Sequence, residues 1–398
     1  LYAGAAVFEQ FFGINVYASI LIISVITAVY TVLGGLKAVV VTETIQTVIL
    51  LLGAMAVTLF AIFALPDHGI HSFAEFKAAL KPNQLSMIHT DNSSGLAWYA
   101  VLLGYPILGI WYWCSDQTIV QRVLGAKTER DAQLGPLFAG LLKILPVFFL
   151  VLPGVIAYVL FRDQIGSDSN QTLPVLISEL IPTGMKGLIS AGLLAALMST
   201  IAAALNSSAT LVAVDIVKRI KPDTTDEKQI KIGRISAIVV MILAMVWSTQ
   251  GGRYTSIFEA INAIAAHLAP PVSTVFLLGV FWRRGTKEAA LTTLIFGFSL
   301  GAIAFAVDLP LIGDTKLITN GWGIPFMMQA WWSFCICAFV YVIVSLMTPK
   351  PDAKNLDGLT WEHPLQVIRH GKLTGLTDPR VLAGLLFGLM IILYIILG

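Results

Sequence analysis

The stretch AGLLKILPVFFLVLPG, residues 139–154, is apolar except for one lysine, Lys143. Together with the apolar residues that follow, it reaches the roughly 20 residues that an α-helix needs to cross a bilayer. Similar stretches recur along the chain, starting near residues 16, 38, 96, 133, 186, 232, 256, 287, 323 and 380, and the end of another occupies residues 1–13. The sequence therefore predicts ten full membrane spans and one partial span.

Composition agrees with a membrane protein. Hydrophobic residues make up 57% of the chain and charged residues 12%, which is too apolar for one water-soluble core. Lipid cannot solvate unpaired strand edges, and the apolar stretches lack the alternation of a β-barrel. We predict an all-α polytopic membrane protein in which residues 1–398 form a single transmembrane domain.

Positive charge is distributed unevenly over the gaps between the spans. Of the 25 Lys and Arg residues, 18 lie in alternate gaps, among them Lys37 in the first gap and a dense group at residues 218–234. Positive charge stays on the cytoplasmic side during insertion, so these gaps should face the cytoplasm. The net charge of +2, spread over many gaps, excludes nucleic acid as an expected partner. We expect an integral, multi-pass protein of a plasma membrane or a bacterial inner membrane, and the sequence leaves its oligomeric state open.

Several spans are interrupted by polar or helix-breaking residues, and a polar group in lipid costs several kcal/mol unless it is paired or faces a cavity. The first interruption is GYPILGIWYWCSDQTIVQR, residues 104–122, where Gly104 and Pro106 should weaken the helix just before Tyr112 and Trp113. Many secondary transporters build their sites at such mid-membrane breaks, and aromatic rings there can stack on a sugar. An aromatic belt at the membrane interface is the alternative.

The second is Lys143, about ten residues beyond the last charge of the preceding cytoplasmic gap. Ten helical residues rise about 15 Å, which places the lysine near the bilayer centre. A lysine stem cannot snorkel over that distance, so the ammonium group should face a polar cavity. There it either donates to a substrate hydroxyl or pairs with a carboxylate or carbonyl of the protein.

The third is a helix rich in small residues, GLLAALMSTIAAALNSSATLVAVD at residues 192–215. Ser199 and Thr200 follow Ala196 by three and four residues, so their hydroxyls lie over its carbonyl group. Hard cations such as sodium bind clusters of neutral oxygens, although further ligands must come from another helix. Hydroxyls that bond back to their own helix are the alternative.

The fourth is IFEAINAIAAHLAPPVSTVF at residues 257–276, which Pro270 and Pro271 should kink. Asn262 is a candidate to bond a polar ligand. His267 is the weaker candidate, because it can equally bond to a neighbouring helix.

The chain resembles the sodium/solute symporter family, and within it the sodium/glucose symporter group, in six motifs that keep their order and approximate spacing. They are GGLKAVVVTETIQTVI (34–49), WYWCSDQTIVQR (111–122), LKILP (142–146), LMS with a following hydroxyl (197–200), NSSATL (206–211) and APPVSTVFLLGVFWRR (269–284). The likeness extends from residue 1 to about residue 300 and thins out beyond it.

The resemblance implies a LeuT-like, inverted-repeat transporter core of ten helices, followed here by additional C-terminal helices. On that pattern the chain would begin late in core helix three, as an N-terminally truncated chain without core helices one and two and the ligands that they supply. It also opens inside an apolar stretch without an initiating Met. Substrate and sodium would bind at mid-membrane and become accessible to each side in turn.

The resemblance also implies roles for five substrate-site residues. Lys143 matches the lysine that bonds sugar hydroxyls, Tyr112 matches the aromatic residue that closes the site toward the cytoplasm, and Trp113 lines the same region. Asn262 stands where sugar transporters have glutamine, and Gly109 where they have asparagine or threonine. Both departures shorten the hydrogen-bonding reach, so they favour a larger sugar or a related polyol.

Ala196, Ser199 and Thr200 match the half of the main sodium site that core helix eight supplies. Glu43 falls where relatives carry an aspartate linked to a further sodium ion, yet the partner positions of that site, 202 and 203, are alanines here. For Glu43 we place contact with the cytoplasmic interface ahead of ion binding. We therefore expect one sodium ion per substrate.

These features predict sodium-coupled symport of a sugar or polyol by alternating access, with sodium as a co-transported ion and the lipid bilayer as the surroundings. Two alternatives remain: a sodium symporter for a non-sugar solute such as an organic acid or vitamin, and a sugar sensor that does not transport. An enzyme is not expected, because no helix carries a His-rich metal set or a Ser paired with a base.

Overall fold

The computed structural model describes residues 1–2, 4–5, 8–9, 13–82, 84–90, 96–166, 168–250, 257–308, 317–361 and 375–397, without the side chains of residues 35–38, 257, 259, 260 and 355. All regular secondary structure in these ranges is helical, which confirms the predicted all-α class. Of the predicted partial span at residues 1–13, only residues 1–2, 4–5, 8–9 and 13 fall within the described part.

Thirteen α-helices are described in the chain. They are α1 (Val16–Ala64), α2 (Phe73–Ala78), α3 (Trp98–Ile110), α4 (Gln117–Leu124), α5 (Glu129–Leu142), α6 (Leu152–Ile165), α7 (Thr172–Leu180), α8 (Thr183–Thr210), α9 (Asp226–Ser248), α10 (Ile257–Phe281), α11 (Lys287–Asp308), α12 (Phe326–Met347) and α13 (Pro379–Leu397). Four π-helical turns are described beside them, at Trp111–Ser115, Val147–Val151, Leu211–Lys218 and Leu317–Gly321.

Nine segments of the described chain are long and apolar enough to cross a membrane. They are Val16–Gly34, Val39–His68, Glu129–Ile165, Thr183–Lys218, Asp226–Ser248, Ile261–Phe281, Lys287–Asp308, Phe326–Met347 and Pro379–Leu397. These segments correspond to nine of the ten predicted spans and confirm a multi-pass membrane protein. The tenth, predicted to start near residue 96, corresponds to α3, whose 13 residues are too few to cross a bilayer alone.

The structure corrects the first predicted gap, at Lys37, because the chain there is helical. Helix α1 runs without a break through 49 residues and contains the first two spans. The sequence between those spans has two glycines and no proline, and an interior glycine costs a helix only about 1 kcal/mol. The side chain of Lys37 itself lies outside the described residues.

The chain divides into two compact units, each built from two separate stretches of sequence. Unit 1 comprises Leu1–Gln84 and Ala139–Ile257, and unit 2 comprises Leu85–Phe138 and Phe258–Gly398. The expected single transmembrane domain stays a prediction.

Unit 1 is organised around the contact between α1 and α8. The Gly192 position on α8 lies so close to Ile49 that a side chain there would press on the isoleucine, and the Tyr30 hydroxyl donates to the carbonyl oxygen of Met198 at 3.0 Å. Lipid gives no hydrophobic reason for helices to associate, so close backbone approach at small residues supplies the packing.

Unit 2 joins its two stretches of sequence through several close contacts. A side chain at Gly104 on α3 would overlap the carbonyl oxygen of Met327 on α12. The buried Ser273 hydroxyl on α10 donates to the Ile107 carbonyl oxygen at 2.6 Å. The N–H of Met87 donates to the Leu397 carbonyl oxygen at 2.7 Å, so the first residues of this unit bond to the end of its last helix.

A hydrogen-bonded carboxylate ends α11 in the same unit. Asp308 accepts the backbone N–H groups of Ile318 and Thr319, each at 3.0 Å. It also accepts the Thr319 hydroxyl at 2.6 Å and the side-chain amide of buried Gln329 at 3.1 Å. Four donors therefore satisfy this carboxylate and tie the end of α11 to the start of α12.

Candidate functional site

The interruption predicted at residues 104–122 is present, but it begins after Pro106. Helix α3 continues through Gly104 and Pro106 to Ile110. A π-helical turn follows, in which the N–H of Asp116 donates to the Trp111 carbonyl oxygen at 2.9 Å. Asp116 is extended, with φ −69° and ψ 122°. Gly104 thus serves close packing on α12, which corrects its predicted role as a helix breaker.

Asp116 supplies the physical reason for the break. Its carboxylate accepts the N–H of Thr118 at 2.7 Å and so caps the start of α4. An N-cap residue has non-helical backbone angles, so the cap ends one helix where it begins the next. The Trp111 carbonyl oxygen also accepts the Ser115 hydroxyl at 2.7 Å.

The predicted aromatic pair lies on this π-helical turn. The ring centroids of Tyr112 and Trp113 are 5.2 Å apart with an interplanar angle of 87°, an edge-to-face contact. Their exposed fractions are 37% and 39%. Gly109 precedes them by three and four residues, and a Cβ atom there would meet no described atom within 4 Å. The space directly beside Gly109 is therefore open.

Lys143 stands at a second interruption. Helix α5 ends at Leu142, Lys143 and Ile144 form a turn, and a π-helical turn starts at Val147. Pro146 explains the break, because it has no N–H to donate to the Leu142 carbonyl group and its ring crowds that group. The sequence prediction placed Lys143 inside a continuous helix, so this is a correction. The lysine is an exposed residue of unit 1.

The predicted oxygen cluster lies on one turn of α8. The Thr200 hydroxyl oxygen is 3.2 Å from the Ala196 carbonyl oxygen, to which it donates. Thr200 is exposed and Ser199 is partly exposed. The Ala196 carbonyl oxygen and the Thr200 hydroxyl oxygen are thus adjacent. The same bond from Thr200 to Ala196 is also the alternative stated above, in which a hydroxyl group only bonds back to its own helix.

Asn262 and His267 lie on α10, which continues through Pro270 and Pro271 to Phe281. The Asn262 amide donates to the carbonyl oxygen of Phe258 at 2.9 Å. His267 is buried, with its Nδ1 atom 2.6 Å from the Ala263 carbonyl oxygen. Its ring also contacts that of Phe305 on α11 at 5.7 Å, so it serves contact between helices.

Glu43 is half-buried on α1, and its carbonyl oxygen accepts the Thr47 hydroxyl at 2.8 Å. Ala202 and Ala203, at the partner positions of the further sodium site, are 0% and 5% exposed.

The predicted site residues are divided between the two units. Unit 1 contains Lys143, Ala196, Ser199, Thr200 and Glu43, and unit 2 contains Gly109, Tyr112, Trp113 and Asn262. The structure brings Ala196 and Thr200 together on one turn of α8 and Tyr112 and Trp113 together on the π-helical turn, whereas Gly109 contacts neither ring within 4 Å of its Cβ position. The sequence analysis missed the Asp308 cluster, although a lone carboxylate at the end of an apolar stretch was a signal that could have located it.

Membrane-spanning helices interrupted at polar residues are typical of secondary transporters. The model of the family described as "Sodium:solute symporter family" matches residues 1–297. The chain belongs to the sodium:solute symporter family, which consists of transporters and not of enzymes.

Curated relatives agree with this assignment. The chain is 33% identical to the sodium/mannose cotransporter of Bos taurus over 94% of its own length and 68% of that protein. It is 31% identical to sodium/myo-inositol cotransporter 2 of Oryctolagus cuniculus, covering 91% of the chain and 59% of the relative. It is 32% identical to the sodium/glucose cotransporter 4 of Homo sapiens, covering 91% of the chain and 58% of that relative. The chain therefore spans about three fifths to two thirds of these relatives.

A solved structure shares the fold. A Na⁺-coupled sialic acid symporter in a substrate-bound, outward-open state superimposes with a TM-score of 0.68, at 21% sequence identity. The match covers 88% of the chain and 71% of that symporter. The predicted LeuT-like transporter fold is confirmed by this similarity.

Proposed function

We propose that the complete protein is a sodium-coupled symporter for a sugar or polyol. The observation that carries the proposal is the 31–33% identity, over 91–94% of the chain, to cotransporters for mannose, myo-inositol and glucose. Alternating access is the mechanism, with sodium as a co-transported ion.

The oxygen cluster on α8 binds the sodium ion in this proposal. A cation whose oxygen ligands lie at about 2.4 Å has neighbouring ligands about 3.4 Å apart in an octahedral arrangement. The 3.2 Å between the Ala196 carbonyl oxygen and the Thr200 hydroxyl oxygen supports two adjacent ligand positions. Ser199 supplies a third, and the remaining ligands come from outside this helix. The buried alanines 202 and 203 support one sodium ion per substrate.

Lys143, Tyr112, Trp113, Asn262 and Gly109 act on the substrate. Lys143, an exposed residue, donates from its ammonium group to a substrate hydroxyl group in a charge-assisted hydrogen bond. The rings of Tyr112 and Trp113 stack on the apolar C–H face of a sugar or cyclic polyol. Asn262 bonds a further hydroxyl, and the open space beside Gly109 admits a bulkier ring substituent than a side chain would allow there.

Coupling follows from thermodynamic linkage. If sodium binding raises the affinity for the substrate by some factor, substrate binding raises the affinity for sodium by the same factor. The sodium gradient then drives accumulation of the substrate without any covalent step.

The test is uptake of radiolabelled mannose, glucose and myo-inositol by the complete protein in sealed proteoliposomes, with an inward sodium gradient. We expect accumulation above the external concentration for at least one of them, and its loss when potassium replaces sodium. Competition by carboxylates but not by sugars would assign the protein to a non-sugar solute. Substrate-dependent currents without accumulation would identify a sensor.

A further inference from the structure

A network of buried polar side chains joins three helices of unit 2, and neither the sodium site nor the substrate site proposed above uses it. Its members are His267 on α10, Asp308 at the end of α11, Thr319 on the π-helical turn before α12, and Gln329 on α12. His267 and Gln329 are 4% and 6% exposed. The Gln329 side chain and the Asp308 carboxylate both lie close enough to the His267 ring to act on its charge. An ionisable residue inside a membrane-spanning segment is a candidate for a functional site.

The hydrogen bonds of this network determine which atoms of Gln329 and His267 are acceptors. A carboxylate only accepts, so the Gln329 nitrogen faces Asp308, at 3.1 Å, and its second hydrogen goes to the Thr319 hydroxyl oxygen at 3.0 Å. The Gln329 Oε1 atom is therefore left as an acceptor. The His267 Nδ1 atom lies 2.6 Å from the Ala263 carbonyl oxygen, which cannot donate, so Nδ1 carries the hydrogen. In a neutral ring, Nε2 is then an acceptor as well.

Both of these acceptor atoms lack a donor. Neither Nε2 of His267 nor Oε1 of Gln329 forms a hydrogen bond with the described residues, and neither atom is accessible to water. A buried acceptor without a donor destabilises a fold. A water molecule or a metal ion between the two atoms would need space that the packing does not leave. A proton on Nε2 needs almost no space, and it converts that atom into a donor.

Opposing effects act on a proton at this position. Burial of the ring has the largest effect and opposes a positive charge, whereas the Ala263 carbonyl group, the Asp308 carboxylate and the Gln329 side chain each favour that charge. Four hydrogen bonds satisfy the Asp308 carboxylate, so its negative charge can balance an imidazolium ring. A charge-assisted hydrogen bond from Nε2 to the Gln329 oxygen further offsets the cost of burial.

Asp308 is the only charged group that acts on the His267 ring in the part of the chain that the structure describes. Helix α3 packs on the same part of α10 with Tyr99 and Tyr105, whose hydroxyl groups are neutral at ordinary pH. The side chain of Glu259, about two turns earlier on α10, lies outside the described residues. Removal of the Asp308 charge is therefore the most direct way to change the affinity of the ring for a proton.

We propose that His267 is a proton-binding site that fills on acidification, with Nε2–H donating to Oε1 of Gln329 and with Asp308 as the counter-charge. A bound proton satisfies both buried acceptors and joins α10 to α12. The neutral ring leaves both acceptors unpaired, so the packing of α10 on α12 depends on pH. The site is separate from the sodium and substrate sites, and it adds a proton to the ions that the protein binds.

The experiment is infrared spectroscopy of the purified complete protein with isotope-labelled histidine, which distinguishes an imidazole from an imidazolium ring. In each background, the spectrum of His267→Gln is subtracted between about pH 8 and about pH 5, the range in which histidine changes charge. The wild type should show one imidazolium ring that forms on acidification. Asp308→Asn and Gln329→Met should each lower the midpoint pH of this ring by about one unit, since each removes an interaction that favours the charge. His71→Gln, at an exposed position outside the spans, is the matched control and should leave the midpoint unchanged.

A His267 ring that stays neutral over this whole range would overturn the site. A midpoint that neither Asp308→Asn nor Gln329→Met lowers would overturn the network as the reason for proton binding. If His267→Gln does not fold, the wild type is compared directly with Gln329→Met. A lower midpoint for one histidine then supports the proposal, and identical spectra overturn it.

Discussion

The hydroxyl oxygen of Thr200 lies 3.2 Å from the carbonyl oxygen of Ala196, one helical turn earlier on α8. An exposed hydroxyl at this spacing either shares a cation with the carbonyl group or only bonds back to its own helix. The two roles differ in what removal of the hydroxyl does to sodium binding.

We expect Thr200→Val and Ser199→Ala each to raise the sodium concentration for half-maximal uptake about tenfold or more, because each removes one neutral oxygen ligand. Sodium-dependent uptake in proteoliposomes measures this. Ser208→Ala is the matched control, since the Ser208 hydroxyl bonds back to the Ala204 carbonyl oxygen at 2.8 Å on the same helix. Unchanged sodium dependence in both site variants would leave back-bonding as the only role.

Replacement of Lys143 should weaken the affinity for the substrate and leave the affinity for sodium unchanged. Loss of a charge-assisted hydrogen bond costs about 1.5–3 kcal/mol, so Lys143→Ala should weaken substrate binding roughly 10- to 150-fold. Equilibrium binding of labelled substrate at saturating sodium measures the change. Lys186→Ala is the control, because the Lys186 ammonium group donates to the Ser178 carbonyl oxygen near the end of α7, at 2.6 Å. Equal affinities of Lys143→Ala and the wild type would contradict the assignment.

Gly109→Asn tests the open space beside the aromatic pair. A Cβ atom at this position would meet no described atom within 4 Å, so we expect the variant to fold with wild-type stability. It should also shift relative uptake toward smaller sugars, because the amide fills space that a bulkier substrate would use. Gly104→Ala is the contrasting variant, since its new methyl group would overlap the Met327 carbonyl oxygen and should lower the melting temperature. An unstable Gly109→Asn would rule out the open space.

Asp308→Asn should destabilise unit 2. The substitution replaces one acceptor oxygen with an N–H₂ group that faces donors, and an unsatisfied buried group costs about 1–3 kcal/mol. Thermal unfolding followed by size-exclusion chromatography measures the loss. Asp163→Asn, whose side chain is 96% exposed, should melt as the wild type does. A variant of Asp308 that melts at the wild-type temperature would show that the four hydrogen bonds contribute little.

The short helix α2 should respond to acid. The backbone N–H of His71 donates to the Glu75 carboxylate at 2.6 Å, and this bond holds the pKa of Glu75 below its ordinary value. Ser72 completes a capping box with the same carboxylate. Because the pKa of Glu75 is lower in the folded state than in the unfolded state, its carboxylate stabilises the helix at pH values above the unfolded-state pKa. This contribution is lost as the pH falls through the folded-state pKa.

The Phe76–Ala79 amides of the wild type should therefore exchange hydrogen faster at acidic pH than at neutral pH. In Glu75→Gln they should exchange faster than in the wild type already at neutral pH. The exchange rates are compared after correction for their intrinsic dependence on pH. If Glu75→Gln protects these amides as well as the wild type does, the carboxylate has no part in the cap.

The sequence predicted the features that depend on composition and local pattern. Nine spans fell where apolar length placed them, the break near Tyr112 was present, and the small-residue character of α8 matched its packing on α1. Each of these depends on burial or on local backbone chemistry, which a single sequence contains.

Features that depend on competition between local signals were harder to predict from the sequence. Basic charge suggested a gap at Lys37, but nothing in the backbone there stops a helix. Pro146 broke the helix at Lys143, although the surrounding apolar pattern continued through it. Gly104 was predicted to weaken its helix, whereas its role is close packing against Met327. This contact could not be predicted, because Met327 is distant in sequence. Long-range contacts of this kind do not follow from periodicity.

Unit 2 is built from two separate stretches of sequence, joined by contacts such as the hydrogen bond between Met87 and Leu397, and this division has a consequence for synthesis. The first segment of unit 2 is complete at Phe138, whereas its second segment starts only at Phe258. A ribosome working at roughly 5–20 residues per second needs on the order of ten seconds to translate the residues between them. During that time the early segment waits in the translocation machinery or the membrane without its partners, so nascent chains are most vulnerable to quality control in this interval.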